Sequence, residues 1–208
     1  RAIFEALVRT GLTRRQASEA IYNAKEIGQR CNVRLPKMNV LRYPLPSGMT
    51  DPVSLFRRWC EGGWKFRGID SREDVQKYKA RVKREMKLIE EKGFVDYFLV
   101  VADATKFAKD AGIPVGPARG SAAASLVCYL LRITEIDPMP FPTLLFERFI
   151  DANRHDLPDI DLDFDDERRH EVYDYLVAKY GADRVGNIAN FAMFRGKNSL
   201  DDVARVHD

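Results

Sequence analysis

The chain has 208 residues, of which 45% are hydrophobic and 31% charged, a composition typical of a globular domain rather than a disordered or fibrous chain. Its 34 basic and 31 acidic residues give a net charge of +3, which does not by itself indicate a nucleic-acid partner. No apolar run reaches the roughly 20 residues of a membrane helix, and the first residues do not form a signal peptide. Cys31, Cys60 and Cys128 fit neither a disulfide framework nor a metal knuckle, so we predict a cytoplasmic protein with no membrane partner.

The amino-terminal part of the chain is predicted to contain one helix followed by a linker. Thr13 and Gln16 have the spacing of a capping box, and apolar residues recur after them at helical intervals. This pattern predicts a helix over residues 13–31. Residues 33–51 are rich in proline and contain a glycine, which is typical of a linker.

The next part of the chain is predicted to be helical. Asp51 is expected to cap a short helix over residues 52–60, which the glycines at 62–63 are expected to end. A long charged helix is predicted over residues 71–92, where Glu85 and other acidic residues interleave with a basic run. That mixture indicates a solvated helix face with ion pairs four residues apart rather than a nucleic-acid surface. Further helices are predicted over residues 97–111 and 167–180.

A glycine-containing motif occupies residues 115–126, with the sequence Val-Gly-Pro-Ala-Arg-Gly-Ser-Ala-Ala-Ala-Ser-Leu. Gly120 and Ser121 precede a predicted helix, and backbone N–H groups at a helix start can bind phosphate. Arg119 adds a fork-shaped donor for phosphate oxygens. The Gly-Lys-Ser/Thr of a Walker loop is absent. Such a turn is usually structural, so this motif indicates a phosphate site only together with the acidic segment downstream.

The acidic segment is the most specific feature of the sequence. Residues 158–164 read Pro-Asp-Ile-Asp-Leu-Asp-Phe, and on a predicted strand this alternation places Asp159, Asp161 and Asp163 on one face. Neighbouring carboxylates repel one another, and a pair of divalent cations about 3.5–4 Å apart would remove that cost. Mg²⁺ is the natural candidate for such oxygen ligands. A solvent-facing acidic strand is the alternative, whereas a calcium loop is excluded because position 164 lacks its glycine.

Four motifs in order resemble those of C-family DNA polymerases, the replicative alpha subunits of bacteria and some of their phages. The motifs are Gly-Phe-Val-Asp-Tyr-Phe-Leu-Val-Val at 93–101, the glycine motif at 115–127, Leu-Phe-Glu-Arg-Phe at 145–149 and the acidic segment at 158–164. One departure is Ala118, where many relatives have a third glycine.

The resemblance implies roles for particular residues. Asp159 and Asp161 match the aspartates that bind two catalytic Mg²⁺ ions, and Asp163 matches a supporting third position. The resemblance also implies nucleotide-binding residues, which bind or lie near the incoming dNTP: Arg119, Gly120, Ser121 and Arg148.

The resemblance further implies a mixed α/β fold, a polymerase-beta-like nucleotidyltransferase palm with flanking helices. Residues 1–50 would be the tail of a PHP domain and a linker, 51–190 the palm, and 191–208 the start of the thumb. The implied function is template-directed transfer of a nucleotide from dNTP to a primer 3′-hydroxyl by a two-metal mechanism. The implied partners are primer-template DNA and, through regions outside this chain, the sliding clamp and other replisome subunits.

Both ends of the sequence are interpreted as cuts through a longer polypeptide, and the third catalytic aspartate of the family is expected beyond residue 208. We therefore expect the chain alone to be inactive. Two alternatives stay open at this point. A small-substrate nucleotidyltransferase would use the same two motifs but would be complete at this length. A degenerate palm that acts only as a binding module would be favoured by loss of Asp159 or Asp161, and both are present.

Overall fold

The structure is a computed structural model that describes residues 2–34, 42–151, 157–190 and 196–207. The chain divides into two compact units, Arg1–Val40 and Leu41–Asp208. Among the described residues, no helix is long and apolar enough to cross a membrane.

The smaller unit contains helices α1 (Ala2–Arg9) and α2 (Arg14–Arg30). The predicted capping box is confirmed at the start of α2. The Thr13 hydroxyl accepts a hydrogen bond from the Gln16 backbone N–H at 3.3 Å, and the Gln16 side chain accepts one from the Thr13 N–H at 3.0 Å. These bonds satisfy two of the backbone donors that a helix start leaves without a partner. The predicted helix limits are therefore correct to within a residue.

The larger unit consists of helices joined by turns. Its α-helices are α3 (Pro52–Phe66), α4 (Val75–Glu91), α5 (Val95–Asp110), α6 (Leu126–Leu130), α7 (Arg169–Tyr180) and α8 (Gly196–His207). Among the described residues, three short 3₁₀ helices lie between them, at Ile69–Ser71, Gly120–Ala124 and Phe146–Arg148.

Helix α3 begins as predicted but ends later. The Asp51 carboxylate accepts hydrogen bonds from the backbone N–H groups of Val53 and Ser54 at 3.0 and 2.9 Å, which confirms the cap. The helix continues through the glycines that were expected to end it. A Cβ atom at Gly63 would lie 1.9 Å from the carbonyl oxygen of Leu130. The glycine therefore allows α3 to approach α6 closely instead of stopping the helix.

The main core is built from aromatic side chains of α3, α5 and the third 3₁₀ helix. Phe56 and Phe98 are fully buried and meet edge to face at 6.2 Å, and Phe98 meets Phe149 in the same way at 6.1 Å. Each such buried ring contributes about 1.5–3 kcal/mol through loss of apolar surface from water. The cluster fixes the 3₁₀ helix that carries Arg148.

Helix α7 is joined to α5 by a partly buried polar cluster. The Asp103 carboxylate accepts hydrogen bonds from Tyr175 at 2.8 Å and from Lys179 at 2.7 Å. Burial disfavours the Lys179 ammonium, but its hydrogen bonds to Asp103, Tyr175 and Tyr43 raise its pKa above the usual 10.5. The ring of Phe107 also stacks on Tyr175 at 4.0 Å. These contacts fix the helix that follows the acidic segment.

The predicted mixed α/β fold is wrong for the part of the chain that the structure describes, which is helical and contains no β-strand. Residues 159–163 have no regular secondary structure, and their region forms a single isolated antiparallel bridge, between Val115 and Phe164. A sheet needs a continuous ladder of backbone hydrogen bonds with neighbouring strands. Here the Ile160 N–H donates instead to the Tyr97 hydroxyl at 3.2 Å. A tyrosine from α5 thus supplies a partner that a neighbouring strand would supply in a sheet.

Candidate nucleotide and metal site

Backbone contacts bring the glycine motif and the acidic segment together. The Gly116 N–H donates to the Asp163 carbonyl at 2.8 Å, and the Asp165 N–H donates to the Pro114 carbonyl at 3.2 Å. A Cβ atom at Gly116 would lie only 3.0 Å from the Cβ of Asp163, so the glycine permits this close approach. Two motifs whose contacting residues, Gly116 and Asp163, are 47 positions apart in sequence therefore lie side by side.

The three aspartates of the acidic segment point away from the core. Asp159, Asp161 and Asp163 are exposed, whereas Ile160 and Leu162 between them are partly buried and pack against the main core. The alternation expected from the sequence is present even though no sheet forms. Apolar packing of the intervening residues is sufficient to hold the carboxylates on one side.

Gly120 is a second point of close approach between the two motifs. Its φ angle is +61°, a left-handed conformation that glycine adopts without strain. A Cβ atom at this position would lie 2.8 Å from Oδ2 of Asp161. The Asp161 carboxylate therefore lies directly against the turn that contains Gly120 and Ser121, in space that any other residue would fill.

Arg119 and Asp163 form an ion pair beside this contact. Nη1 of Arg119 donates to Oδ1 of Asp163 at 2.8 Å, and both side chains are more than half exposed. The hydrogen bond and charge of Asp163, and more weakly the charge of Asp161, raise the pKa of Arg119. Arg119 therefore lies within the electrostatic field of two of the three aspartates.

A cleft of about 510 Å³ opens next to these contacts. Ser121, Arg148 and Asp159 line it together with Glu147 and Asp151. Its volume is within the range of small-molecule sites. Three of the predicted site residues thus share one cleft. The remaining four are grouped around the Gly120 contact and do not line it: Arg119, Gly120, Asp161 and Asp163.

The turn after Gly120 differs from the helix start that was expected. Gly120–Ala124 is a 3₁₀ helix, and the following α-helix begins only at Leu126. The amino end of that helix is already occupied, because the Glu85 carboxylate accepts hydrogen bonds from the N–H groups of Leu126 and Val127 at 3.1 and 3.0 Å. Any phosphate contact in this region would therefore involve the 3₁₀ turn rather than the α-helix.

Glu85 is the main residue that the sequence interpretation assigned wrongly. It was expected on a solvated helix face, yet its side chain is fully buried and also accepts a hydrogen bond from the Ser125 hydroxyl at 2.9 Å. Burial raises its pKa, while its hydrogen bonds oppose that rise. A sequence signal did exist, because position 85 falls on the same apolar stripe of α4 as Tyr78 and Ile89, both of which are buried.

Arg81 completes this support behind the turn. Its guanidinium pairs with the Glu85 carboxylate and donates to the Ala124 carbonyl at 2.8 Å. A buried carboxylate needs such partners, because an unpaired buried charge costs several kcal/mol, of order 3–5 when one partner is removed. Helix α4 therefore holds the last residue of the 3₁₀ helix through a buried ion pair.

Glu135 supports the other end of the glycine motif. Its backbone N–H donates to the Pro117 carbonyl at 2.6 Å, and its side chain pairs with Arg67 and Lys109. Burial raises the pKa of Glu135, but the hydrogen bonds and charges of Arg67 and Lys109 outweigh it and hold the pKa below the usual 4.5. The glycine motif is thus fixed on both sides by buried or half-buried ion pairs.

Comparison with known proteins identifies the family. A family profile described as bacterial DNA polymerase III alpha NTPase domain matches residues 54–208. DNA polymerase III subunit alpha of Campylobacter jejuni is 42% identical to this chain, over 91% of the chain and 17% of that relative. The same subunit of Halalkalibacterium halodurans is 42% identical over 98% of the chain and 18% of the relative. That of Mycobacterium tuberculosis is 43% identical over 88% of the chain and 15% of the relative.

The profile covers well over half of the chain, so the chain belongs to the bacterial DNA polymerase III alpha family. This confirms the resemblance drawn from the four motifs. The chain spans 15 to 18% of the length of these curated relatives.

Proposed function

We propose that the intact protein containing this chain carries out template-directed DNA synthesis, and that the glycine motif and acidic segment of this chain hold the incoming dNTP and the catalytic metal. The observation that carries the proposal is the contact of Asp161 with Gly120. In nucleotidyl transfer the residues that bind the triphosphate and those that hold a metal must lie next to each other, because the metal would neutralise phosphate charge and activate the attacking hydroxyl. The contact supports that arrangement.

Asp159 and Asp161 are the residues that would hold Mg²⁺. Both are exposed carboxylates of the type that Mg²⁺ prefers, and the absence of a side chain at Gly120 lets the Asp161 carboxylate lie against the turn. The described residues contain no group of three or more His, Cys, Asp or Glu side chains able to hold a metal. We propose that a third carboxylate comes from elsewhere in the intact protein. When bound, a pair of Mg²⁺ ions would activate the primer 3′-hydroxyl and neutralise charge on the leaving pyrophosphate.

Arg119, Gly120, Ser121 and Arg148 would bind the triphosphate. The cleft that Ser121 and Arg148 line also contains the carboxylates of Glu147, Asp151 and Asp159. Glu147 is paired with Arg84 at 3.1 Å, but the exposed Asp159 carboxylate would repel an anionic triphosphate unless a cation compensated it. We therefore expect dNTP binding to require a divalent cation, which agrees with the metal assignment.

The partners follow from the same proposal. Primer-template DNA and dNTP would be the substrates, and the sliding clamp and other replisome subunits would bind regions outside this chain. The assignment of residues 1–50 to a PHP domain and linker, 51–190 to the palm and 191–208 to the start of the thumb stays a prediction, as does a cytoplasmic location. Residues 191–195 lie outside the described part of the chain.

The test is primer extension by the full-length protein carrying Asp161→Asn. Loss of groups that merely support metal ligands costs about 10–100-fold, so loss of a ligand should reduce extension by more than about 100-fold, with DNA affinity nearly unchanged. Asp166→Asn is the matched control, because Asp166 is an exposed aspartate just beyond the acidic segment. Equal losses of extension and DNA affinity in Asp161→Asn would show that Asp161 is structural. Unchanged extension would reject the proposed site.

A further inference from the structure

Asp163 differs from the other two aspartates in what its carboxylate contacts. Oδ1 of Asp163 accepts a hydrogen bond from Nη1 of Arg119 at 2.8 Å. This is the one hydrogen bond between the two side chains, so the guanidinium uses one of its five N–H donors there. The Arg119 side chain is 60% exposed. Its remaining donors are therefore accessible for a phosphate oxygen.

Arg119 is also adjacent to the site of Asp161. The next residue in the chain is Gly120, and the Asp161 carboxylate lies in the space that a Gly120 side chain would occupy. A guanidinium that turned toward Asp161 would form an ion pair there, and arginine pairs readily with carboxylates in two-point geometry. Such a pair would neutralise Asp161 and compete with a metal ion for its oxygens. Two carboxylates, those of Asp161 and Asp163, are thus close enough to influence Arg119. Arg119 pairs with Asp163, and the Asp161 carboxylate remains available to another cation.

The ion pair is built into the backbone geometry. The carbonyl of Asp163 accepts the Gly116 N–H, and Gly116 lacks the side chain that would push Asp163 away. The segment that carries Arg119 and the residue that pairs with it are therefore fixed to each other. An exposed ion pair of this kind contributes little to stability. The Arg119–Asp163 ion pair is therefore better explained by a function in the candidate site than by a contribution to folding.

We propose that Asp163 is a positioning residue that holds Arg119 away from Asp161. This inference rests on the proposed function. In it, Asp163 leaves the Asp161 carboxylate available to the metal and directs the remaining N–H groups of Arg119 toward the triphosphate. Asp163 is then not a metal ligand, although the sequence pattern is the same for all three aspartates.

The experiment compares the full-length wild-type protein with Asp163→Asn, Arg119→Gln, the double variant of these two, and Asp161→Asn. Two quantities are measured. The first is the affinity for Mn²⁺, followed by the electron paramagnetic resonance of the free ion in the presence of dNTP. The second is the Mg²⁺ concentration at half-maximal primer extension with saturating dNTP. Thermal unfolding of each variant shows whether the fold is retained.

Asp163→Asn should weaken Mn²⁺ binding and raise the Mg²⁺ requirement by about 10-fold, as is typical when a group that supports a metal ligand is lost. The loss should depend on the arginine, because Arg119 is what would then occupy Asp161. The double variant should therefore bind Mn²⁺ as tightly as Arg119→Gln alone. A purely structural role for Asp163 would not be rescued by removing Arg119.

Two outcomes would overturn the inference. If the double variant binds Mn²⁺ more weakly than Arg119→Gln alone, Asp163 acts independently of Arg119: as a metal ligand if thermal unfolding is unchanged, or through the fold if it is not. If Asp163→Asn binds Mn²⁺ like the wild type, Arg119 does not compete for Asp161. Failure of the proposed function has a different signature, in which the wild-type protein shows no Mn²⁺ binding that depends on Asp161.

Discussion

Replacement of Gly120 by alanine should damage the site far more than the fold. The residue has a φ of +61°, and a left-handed conformation costs a non-glycine residue about 1–2 kcal/mol. The added Cβ would lie 2.8 Å from Oδ2 of Asp161, whereas ordinary contact begins at 3.4 Å, so the carboxylate would have to retreat by about 0.6 Å. Misplacement of a reacting group by about 1 Å can cost 10²-fold in rate. We expect Gly120→Ala to lower kcat for primer extension by about 10- to 100-fold.

Gly93→Ala provides the matched control. Gly93 has a φ of +70°, so alanine there carries a similar backbone cost, but a Cβ at that position would meet nothing within 4 Å. Both variants should therefore lose about the same stability, and only Gly120→Ala should lose extension. The assay is single-turnover extension of a labelled primer at saturating dNTP, with local stability followed by hydrogen exchange. Equal effects of the two substitutions on extension would refute the claim that contact with Asp161 is what requires glycine.

Three further predictions follow from the packing and the charges. Gly63→Ala should destabilise the contact of α3 with α6 by about 1–3 kcal/mol or more through overpacking, seen as faster hydrogen exchange in both helices. Because the folded-state pKa of Glu135 is lowered, its stabilisation is complete above the usual pKa of 4.5 and is lost as the pH falls through the lower folded-state pKa. Glu135→Gln should therefore reduce the acid-induced loss of protection, measured as exchange rates relative to the intrinsic rate at each pH. Maleimide should label Cys31 in the native protein but spare Cys60 and Cys128 until unfolding, because these two are buried and burial raises their pKa.

The sequence predicted the helices of this chain better than its fold class. Caps at Thr13 and Asp51 are local signals and were found where expected, because a side chain and the backbone a few residues away suffice to form them. The acidic segment alternates between exposed and packed residues as a strand does. Whether that segment joins a sheet depends on neighbours distant in sequence, and Tyr97 of α5 takes the place of one. No local pattern carries that information.

Some parts of the candidate site could be predicted from the sequence and others could not. The motifs singled out the aspartates and the turn at Gly120, because their residue types match the chemistry of phosphate and metal. Their spacing does not reveal which carboxylate faces Arg119, since Asp159, Asp161 and Asp163 are equivalent in the pattern. Asp163 is the aspartate that pairs with Arg119, and the hydrogen bond from the Gly116 N–H to the Asp163 carbonyl holds it beside the glycine motif. Glu85 was assigned wrongly because glutamate is rarely buried unless it is paired, and the Ser125, Leu126 and Val127 donors that make its burial possible are distant in sequence.

The burial of Glu85 means that helix α4 and the turn at residues 120–124 cannot be exchanged independently. A chimera that takes α4 from a distant relative would have to bring a carboxylate at position 85, or else take the turn and Ser125 from the same source. A leucine at that position would remove the acceptor for the buried Ser125 hydroxyl and for the N–H groups of Leu126 and Val127. Positions 81, 85 and 125 should therefore be inherited as a set, so that substitutions at one are tolerated only alongside matching substitutions at the others.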